Sequence, residues 1–196
     1  MKKLLILFFF CLINSVALAQ SVEQFNNTRL QKNKVGMLIL GSWAIGNLVA
    51  SPILASQSTG STKHFHQMNG YWNIVNAALA GFGYLGVRSA MQQELGLTEV
   101  LDEQIKLEKL LLFNSALDIG YMLGGAYLIE RSKNTLKKPE RLKGFGQSLM
   151  LQGGFLLVFD AIFYFSLHQD HIQMMDWMKT LDISMQGLGL NFRYRF

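Results

Sequence analysis

Four stretches of this chain are each long and apolar enough to cross a hydrocarbon layer, which takes roughly 20 residues in a helix. They run from Val35 to Ala55, Tyr71 to Val87, Leu110 to Ile129 and Gly146 to Leu167. A membrane barrel strand would need only about ten residues of strict alternation, and these runs are too long and too continuous for that. Only 16% of the 196 residues are charged, against about 25% in ordinary soluble domains, so lipid is the expected main solvent. The sequence predicts an all-α membrane protein: a four-helix transmembrane bundle with an extended C-terminal tail.

The first nineteen residues read as a secretory signal. Lys2 and Lys3 precede an apolar run from Leu4 to Leu12, and the small-residue site Ala17-Leu18-Ala19 follows, which places the cut before Gln20. Cys11 does not fit a lipid-attachment site, because bulky Phe8, Phe9 and Phe10 stand before it. It is the sequence's one cysteine, so cleavage leaves none and excludes disulfides, thiolate nucleophiles and cysteine metal sites. Removing Lys2 and Lys3 from the 18 basic residues leaves 16 against 13 acidic ones. That balance is too weak and too dispersed for a nucleic-acid footprint. The expected surroundings are the lipid bilayer and a protein partner or second copy, with no nucleic acid.

The domain reading follows: a signal over residues 1–19, an outer-side segment over 20–34, a four-span membrane domain over 35–168, and an interfacial helix with an extended tail over 169–196. A cleaved signal leaves the new N-terminus outside, which puts the loops at residues 56–70 and 130–145 in the cytoplasm. The second loop carries Arg131, Lys133, Lys137, Lys138, Arg141 and Lys143, as the positive-inside rule requires. Arg29, Lys32 and Lys34 oppose it from just outside the first span. The expected location is a bacterial inner membrane with the mature N- and C-termini on the periplasmic side.

Small residues recur every fourth position at Ser42, Gly46 and Ala50, at Ala77 and Gly81, and at Ala116, Gly120 and Gly124. Such stripes let membrane helices approach closely and predict a compact bundle. Thr98 reads as an N-cap with Glu99 and Asp102 in the first turn, and nothing after it breaks the helix before Ile129. The third helix is therefore expected to project past the membrane, with Val100, Leu101 and Ile105 against an extension of the second. From His171 to Ile183, Met174, Met175, Met178 and Leu181 share a face with Trp177 nearby, as in a helix lying in the interface. Leu188, Leu190, Phe192, Tyr194 and Phe196 then alternate with Gly187, Gly189, Asn191, Arg193 and Arg195, the period of a strand. This ending resembles the terminal strand of outer-membrane barrels, although one strand makes no barrel.

Asp118 and Asp160 lie within the third and fourth spans at similar depth. A carboxylate at mid-membrane costs about 2.5 to 3.5 kcal/mol on insertion scales, so each is expected to be protonated, paired or next to a wet cavity. Asn114 and Tyr121 share a face with Asp118, Tyr164 stands one turn beyond Asp160, and Arg88 is the basic residue closest in depth. The expected site is an intramembrane polar network of Asp118, Asp160, Asn114, Arg88 and Tyr121, with no catalytic residue, metal or cofactor. Asn47, Asn73, Asn76 and Gln152 complete the interior polar set as interhelical glue. Of the histidines, His64 and His66 fall in one loop and His168 and His171, beside Asp170, at the outer end of the fourth span. Histidines three apart could ligate a metal, yet with so few further ligands two such residues are usually only solvated, and the threading forbids a shared four-histidine site.

Three functions suit two buried acids. A network holding the helices in register needs no chemistry and fits a non-enzymatic structural or interaction protein. The same acids suit a small proton- or cation-linked carrier. A third reading is an aspartyl peptidase in which the two carboxyls share one proton. Phe113-Asn114-Ser115-Ala116-Leu117-Asp118 is similar to the Phe-Asn-x-Ala-Asp element of lipoprotein signal peptidases, with one residue more before the Asp and no Asp-Arg motif around Asp160.

A broader resemblance spans residues 35 to 166. It is carried by Gly36-Met37-Leu38-Ile39-Leu40-Gly41-Ser42-Trp43-Ala44, Glu108-Lys109-Leu110-Leu111-Leu112-Phe113-Asn114, Tyr127-Leu128-Ile129-Glu130-Arg131, Glu140-Arg141-Leu142-Lys143-Gly144-Phe145-Gly146, Gln152-Gly153-Gly154-Phe155 and Val158-Phe159-Asp160. In these segments the chain resembles an uncharacterised family of bacterial four-span integral membrane proteins. The resemblance implies the membrane architecture and no activity.

Overall fold

The computed structural model describes the backbone of residues 2–186 and 189–194 and the side chains of residues 20–179. Four helices follow in order: α1 (Lys2–Gln57), α2 (Gly60–Ala90), α3 (Leu97–Lys133) and α4 (Pro139–Thr180), then strands β1 (Leu181–Gln186) and β2 (Gly189–Tyr194). The expected signal and its cut fall on residues whose side chains lie outside the described ones. So does the side-chain alternation expected of the tail.

Every helix outruns the apolar stretch inside it. α4 has 42 residues, about 63 Å at 1.5 Å per residue, roughly twice the thickness of a bilayer core. The loops shrink accordingly. Residues 60–70, expected in a loop, form the first turns of α2, and the basic loop contracts to residues 134–138. Hydropathy marks only the apolar part of a helix, whereas the helix continues until its backbone is interrupted. Here Gly60 takes a left-handed φ of 58° at the start of α2, and Lys138 takes 53° just before α4. Pro139 then opens α4, where a missing N–H costs nothing.

Two other expectations change. α3 is capped at Gly96 rather than Thr98, because the Glu99 carboxylate accepts a hydrogen bond from the Gly96 N–H at 2.9 Å. The segment expected as a separate interfacial helix from His171 is the last part of α4, and Leu181 to Ile183 opens β1. The tail is a hairpin: β1 pairs antiparallel with β2, Leu181 opposite Tyr194 and Gln186 opposite Gly189.

α1 packs along α2, α2 along α4, and α4 along α3, the most extensive of these pairings. The glycines of the expected small-residue stripes do not make these contacts. Gly46, Gly81, Gly120 and Gly124 have nothing within 4 Å of where a Cβ would stand. Close approach occurs instead at Gly125 and Gly146, where a Cβ on either would lie 2.6 or 2.5 Å from the other's carbonyl oxygen. It recurs at Gly153 on α4, whose Cβ would stand 2.8 Å from the Asp118 carbonyl, and at Gly144, which abuts the Ser61 carbonyl. A four-residue spacing marks a face but not which way that face points.

At one end Val100 of α3 is fully buried with Val22 and Phe25 of α1 and Met174 of α4, and Leu101, Trp177 and Met178 pack on them. α3 does run on well before Leu110, and there it meets α1 and α4 rather than an extension of α2. A second cluster, Leu111, Phe163 and Leu167, joins α3 to α4 beneath it.

The middle of the molecule inverts the arrangement of a water-soluble protein. On α2, Asn69, Asn73 and Asn76 are buried while Ile74, Val75, Leu79, Phe82 and Leu85 are exposed. α3 buries Asp118 and exposes Leu112, Phe113, Ile119 and Leu123. α4 repeats the pattern, burying Gln152 and Asp160 with Val158, Ile162 and Phe165 turned outward, while α1 exposes Ile45 and Val49 and buries Leu40 and Ala44 along with Ser51. Four apolar spans were expected; among the described residues α1 over Gln20–Gln57 and α4 over Pro139–Lys179 are long and apolar enough, by length and composition, to cross a membrane, and α2 and α3 fall short of that measure.

Candidate functional site

The interior polar groups form three sets. The first joins α1, α2 and α4 around Gln152, which is 0% exposed. Its carbonyl oxygen accepts from the Trp43 indole at 3.0 Å and from the Asn76 amide at 3.4 Å. Its own amide donates to Asn69 Oδ1. The Asn69 amide in turn donates to Asn47 Oδ1 at 2.5 Å and to Ser51 Oγ at 3.2 Å. Asn73 binds the Asn69 carbonyl at 2.8 Å, and the Trp43 ring stacks flat on Phe155 with centroids 3.9 Å apart. Asn47, Asn73, Asn76 and Gln152 were expected as separate glue, and here they belong to one network. Asn69 was missed because hydropathy leaves it in a loop, and Trp43 because its apolar ring conceals a donor.

The second set is the pair of acids. Asp118 and Asp160 are 3% and 5% exposed, one on α3 and one on α4. Gly153 lets α4 lie against the backbone at Asp118. The other residues expected in this network do not close around them. Asn114 and Tyr121 are half-buried and Arg88 is exposed. Tyr121 sets its ring edge-on to Trp72, at 4.6 Å between centroids. Among the described residues none of the three donates to either acid, and Asp118 Oδ2 is buried without a donor. Sharing a helix face puts side chains at one level, but packing chooses their rotamers.

The third set lies just outside the apolar stretches of α3 and α4, its charged and imidazole groups within about one turn of their ends. Glu108, buried on α3, faces two imidazoles one turn apart on α4. His171 Nδ1 is 2.9 Å from its Oε1, and His168 Nδ1 is 3.1 Å from its Oε2. Gln104, fully buried one turn before Glu108, donates to the same Oε1 at 2.8 Å and to the Leu167 carbonyl at 3.0 Å. Both neighbours of that amide nitrogen are acceptors, which fixes the amide's orientation. Tyr164 stacks on His168, centroids 5.2 Å apart and planes within 13°, and the two imidazoles stand at 88° to each other. Burial opposes the charge on Glu108, yet the hydrogen bonds from Gln104 and His168 and the charge and hydrogen bond of His171 outweigh it. They hold the carboxyl below the ordinary carboxylate range.

The histidines read as solvated in the sequence are therefore partly buried and partnered. Glu108 and Gln104 carry no sequence signal of their own, since they become neighbours of His168 and His171 only when α3 lies on α4. Close by, Lys32 of α1 pairs with Asp170 at 2.7 Å and donates to the Ser166 carbonyl at 2.9 Å. His64 and His66 lie on the first turns of α2. His64 Nδ1 meets Gln67 Oε1 at 2.8 Å, with its ring edge-on to Phe145.

No curated protein and no solved structure matches the chain. The segment holding the Gln152 network, Asp118, Asp160 and Glu108 is the one that a family of unknown function (DUF6992) matches, over residues 39–161, and the chain belongs to that family.

Proposed function

We propose that the protein is an integral membrane protein in which all four helices cross the bilayer, with a non-enzymatic structural or interaction role. The observation that carries this reading is the inverted cross-section: amides and carboxyls buried on α2, α3 and α4, and large apolar side chains turned outward on all four helices. Without water as a solvent, apolar side chains gain nothing by facing inward, and helices associate through packing and interhelical hydrogen bonds. The Gln152 network supplies such bonds between α1, α2 and α4, and the glycine contacts supply the packing between α3 and α4. The polar amides of α2 and the Asp of α3 also explain why those two helices fall short on hydropathy while their outer faces remain apolar. The orientation we favour keeps the basic residues from Arg131 to Lys143 in the cytoplasm of a bacterial inner membrane and both termini of the cleaved chain in the periplasm. Pairing of Lys32 with Asp170 offsets one of the three charges that oppose it.

A proton- or cation-linked carrier is the second reading, favoured by one feature: Asp118 Oδ2 is buried without a donor, which a static scaffold does not need. Flux measurements on purified protein in sealed vesicles separate the two. The scaffold predicts no proton or cation flux above that of protein-free vesicles, and an Asp118→Asn variant that folds like wild type. The carrier predicts flux that Asp118→Asn or Asp160→Asn abolishes.

A further inference from the structure

We propose that Glu108, His168 and His171 form a binding site for a divalent transition-metal ion of the zinc class, with a coordination position left open to water.

The donor set comes first. One carboxylate and two imidazoles, contributed by two helices, offer ligand atoms that all lie within 4.8 Å of one another. Imidazole suits zinc and its neighbours in the first transition row, whereas magnesium and calcium prefer oxygen alone. Three protein ligands with two imidazoles and a carboxylate leave the fourth tetrahedral position for water, as in open zinc sites.

The spacing fits as well. Zinc bonds of about 2.0–2.2 Å set neighbouring tetrahedral donors roughly 3.3 Å apart. The two Nδ1 atoms stand 2.9 and 3.1 Å from the carboxylate oxygens, so a few tenths of an ångström admit an ion. Each Nδ1 faces a carboxylate oxygen, and that geometry is attractive only with a positive centre between them. A proton supplies it in the metal-free protein. In the Nε2–H tautomer both Nδ1 atoms turn lone pairs toward the carboxylate, and a cation replaces the protons.

The surroundings hold the donors in place. Gln104 fixes the carboxylate, Tyr164 the ring of His168, and the α3–α4 packing the relative height of both. Outer partners of this kind commonly tune metal affinity by tenfold or more. His168 keeps 38% of its side chain exposed against 10% for Glu108, so an ion can enter from the imidazole side. The site lies beyond the apolar stretches and does not depend on which functional reading above is right.

The test uses untagged full-length protein in detergent, stripped with a chelator and titrated with Zn²⁺ alone, then with Co²⁺. The expected result is one ion per chain and a Co²⁺ visible spectrum of tetrahedral intensity. Glu108→Gln and His171→Ala should each weaken binding at least tenfold, and His64→Ala should leave it unchanged. Absence of stoichiometric binding would overturn the proposal, as would binding that Glu108→Gln leaves intact. Should His171→Ala fail to fold, X-ray absorption of the zinc-loaded wild type decides. Two imidazoles in the metal shell support the site, and a shell without them refutes it.

Discussion

At the residue scale, the buried amides do what ionic groups were expected to do. Gln152 holds Trp43, Asn76 and Asn69 at once, and replacing it by Leu leaves the Trp43 indole N–H without an acceptor while Asn76 keeps only its bond to Asn73. An unpaired buried donor costs about 1–3 kcal/mol, so Gln152→Leu should lower stability by about 2 kcal/mol or more. Asn114→Leu removes no hydrogen bond and should change it by less than about 0.5 kcal/mol. Thermal unfolding in detergent, followed by circular dichroism, compares the two. The sequence makes Asp118, Asp160 and Gln152 conspicuous, because a polar side chain in an apolar run needs an account wherever the run packs. It does not make their partners legible. Asn114 and Tyr121 satisfy the helical spacing to Asp118, yet Tyr121 turns to Trp72. Glu108 stands just outside an apolar run, where a charged side chain excites no attention.

At the element scale, the apolar stretches locate all four helices and the ends escape them. The first turns of α2 and the last of α4 are polar enough to read as loop or interface, and they remain helical because nothing in the backbone interrupts them. The same ambiguity misdirects the glycines. Ala116, Gly120 and Gly124 have the spacing of a packing motif and face outward, whereas Gly125, one residue on, meets Gly146. The pattern lacks phase, and phase comes only from knowing which face the neighbouring helix covers. Gly146→Ala drives a methyl into the Gly125 carbonyl and should cost about 1–3 kcal/mol, the usual range for overpacking. Gly120→Ala meets open space and gains helix propensity, so stability should hold or rise. Chemical denaturation in one detergent compares the pair, and equal losses would mean that the α3–α4 crossing lies elsewhere.

At the scale of the whole molecule, the account rests on an apolar exterior that α2 and α3 share with the two more apolar helices. The neighbour order, α1 beside α2, α2 beside α4 and α4 beside α3, leaves no trace in composition or period, because it depends on which faces match. The exterior can be measured directly. Phe82 on α2 and Leu123 on α3 are 76% and 67% exposed, and each lies on a helix whose crossing of the membrane hydropathy leaves open. Spin labels at single cysteines placed there, in a Cys11→Ser background in lipid vesicles, report access to oxygen, which concentrates in lipid, and to a nickel chelate, which stays in water. Four helices crossing the bilayer predict high oxygen and low nickel access at both positions. Ready access of the nickel chelate to either label would contradict it.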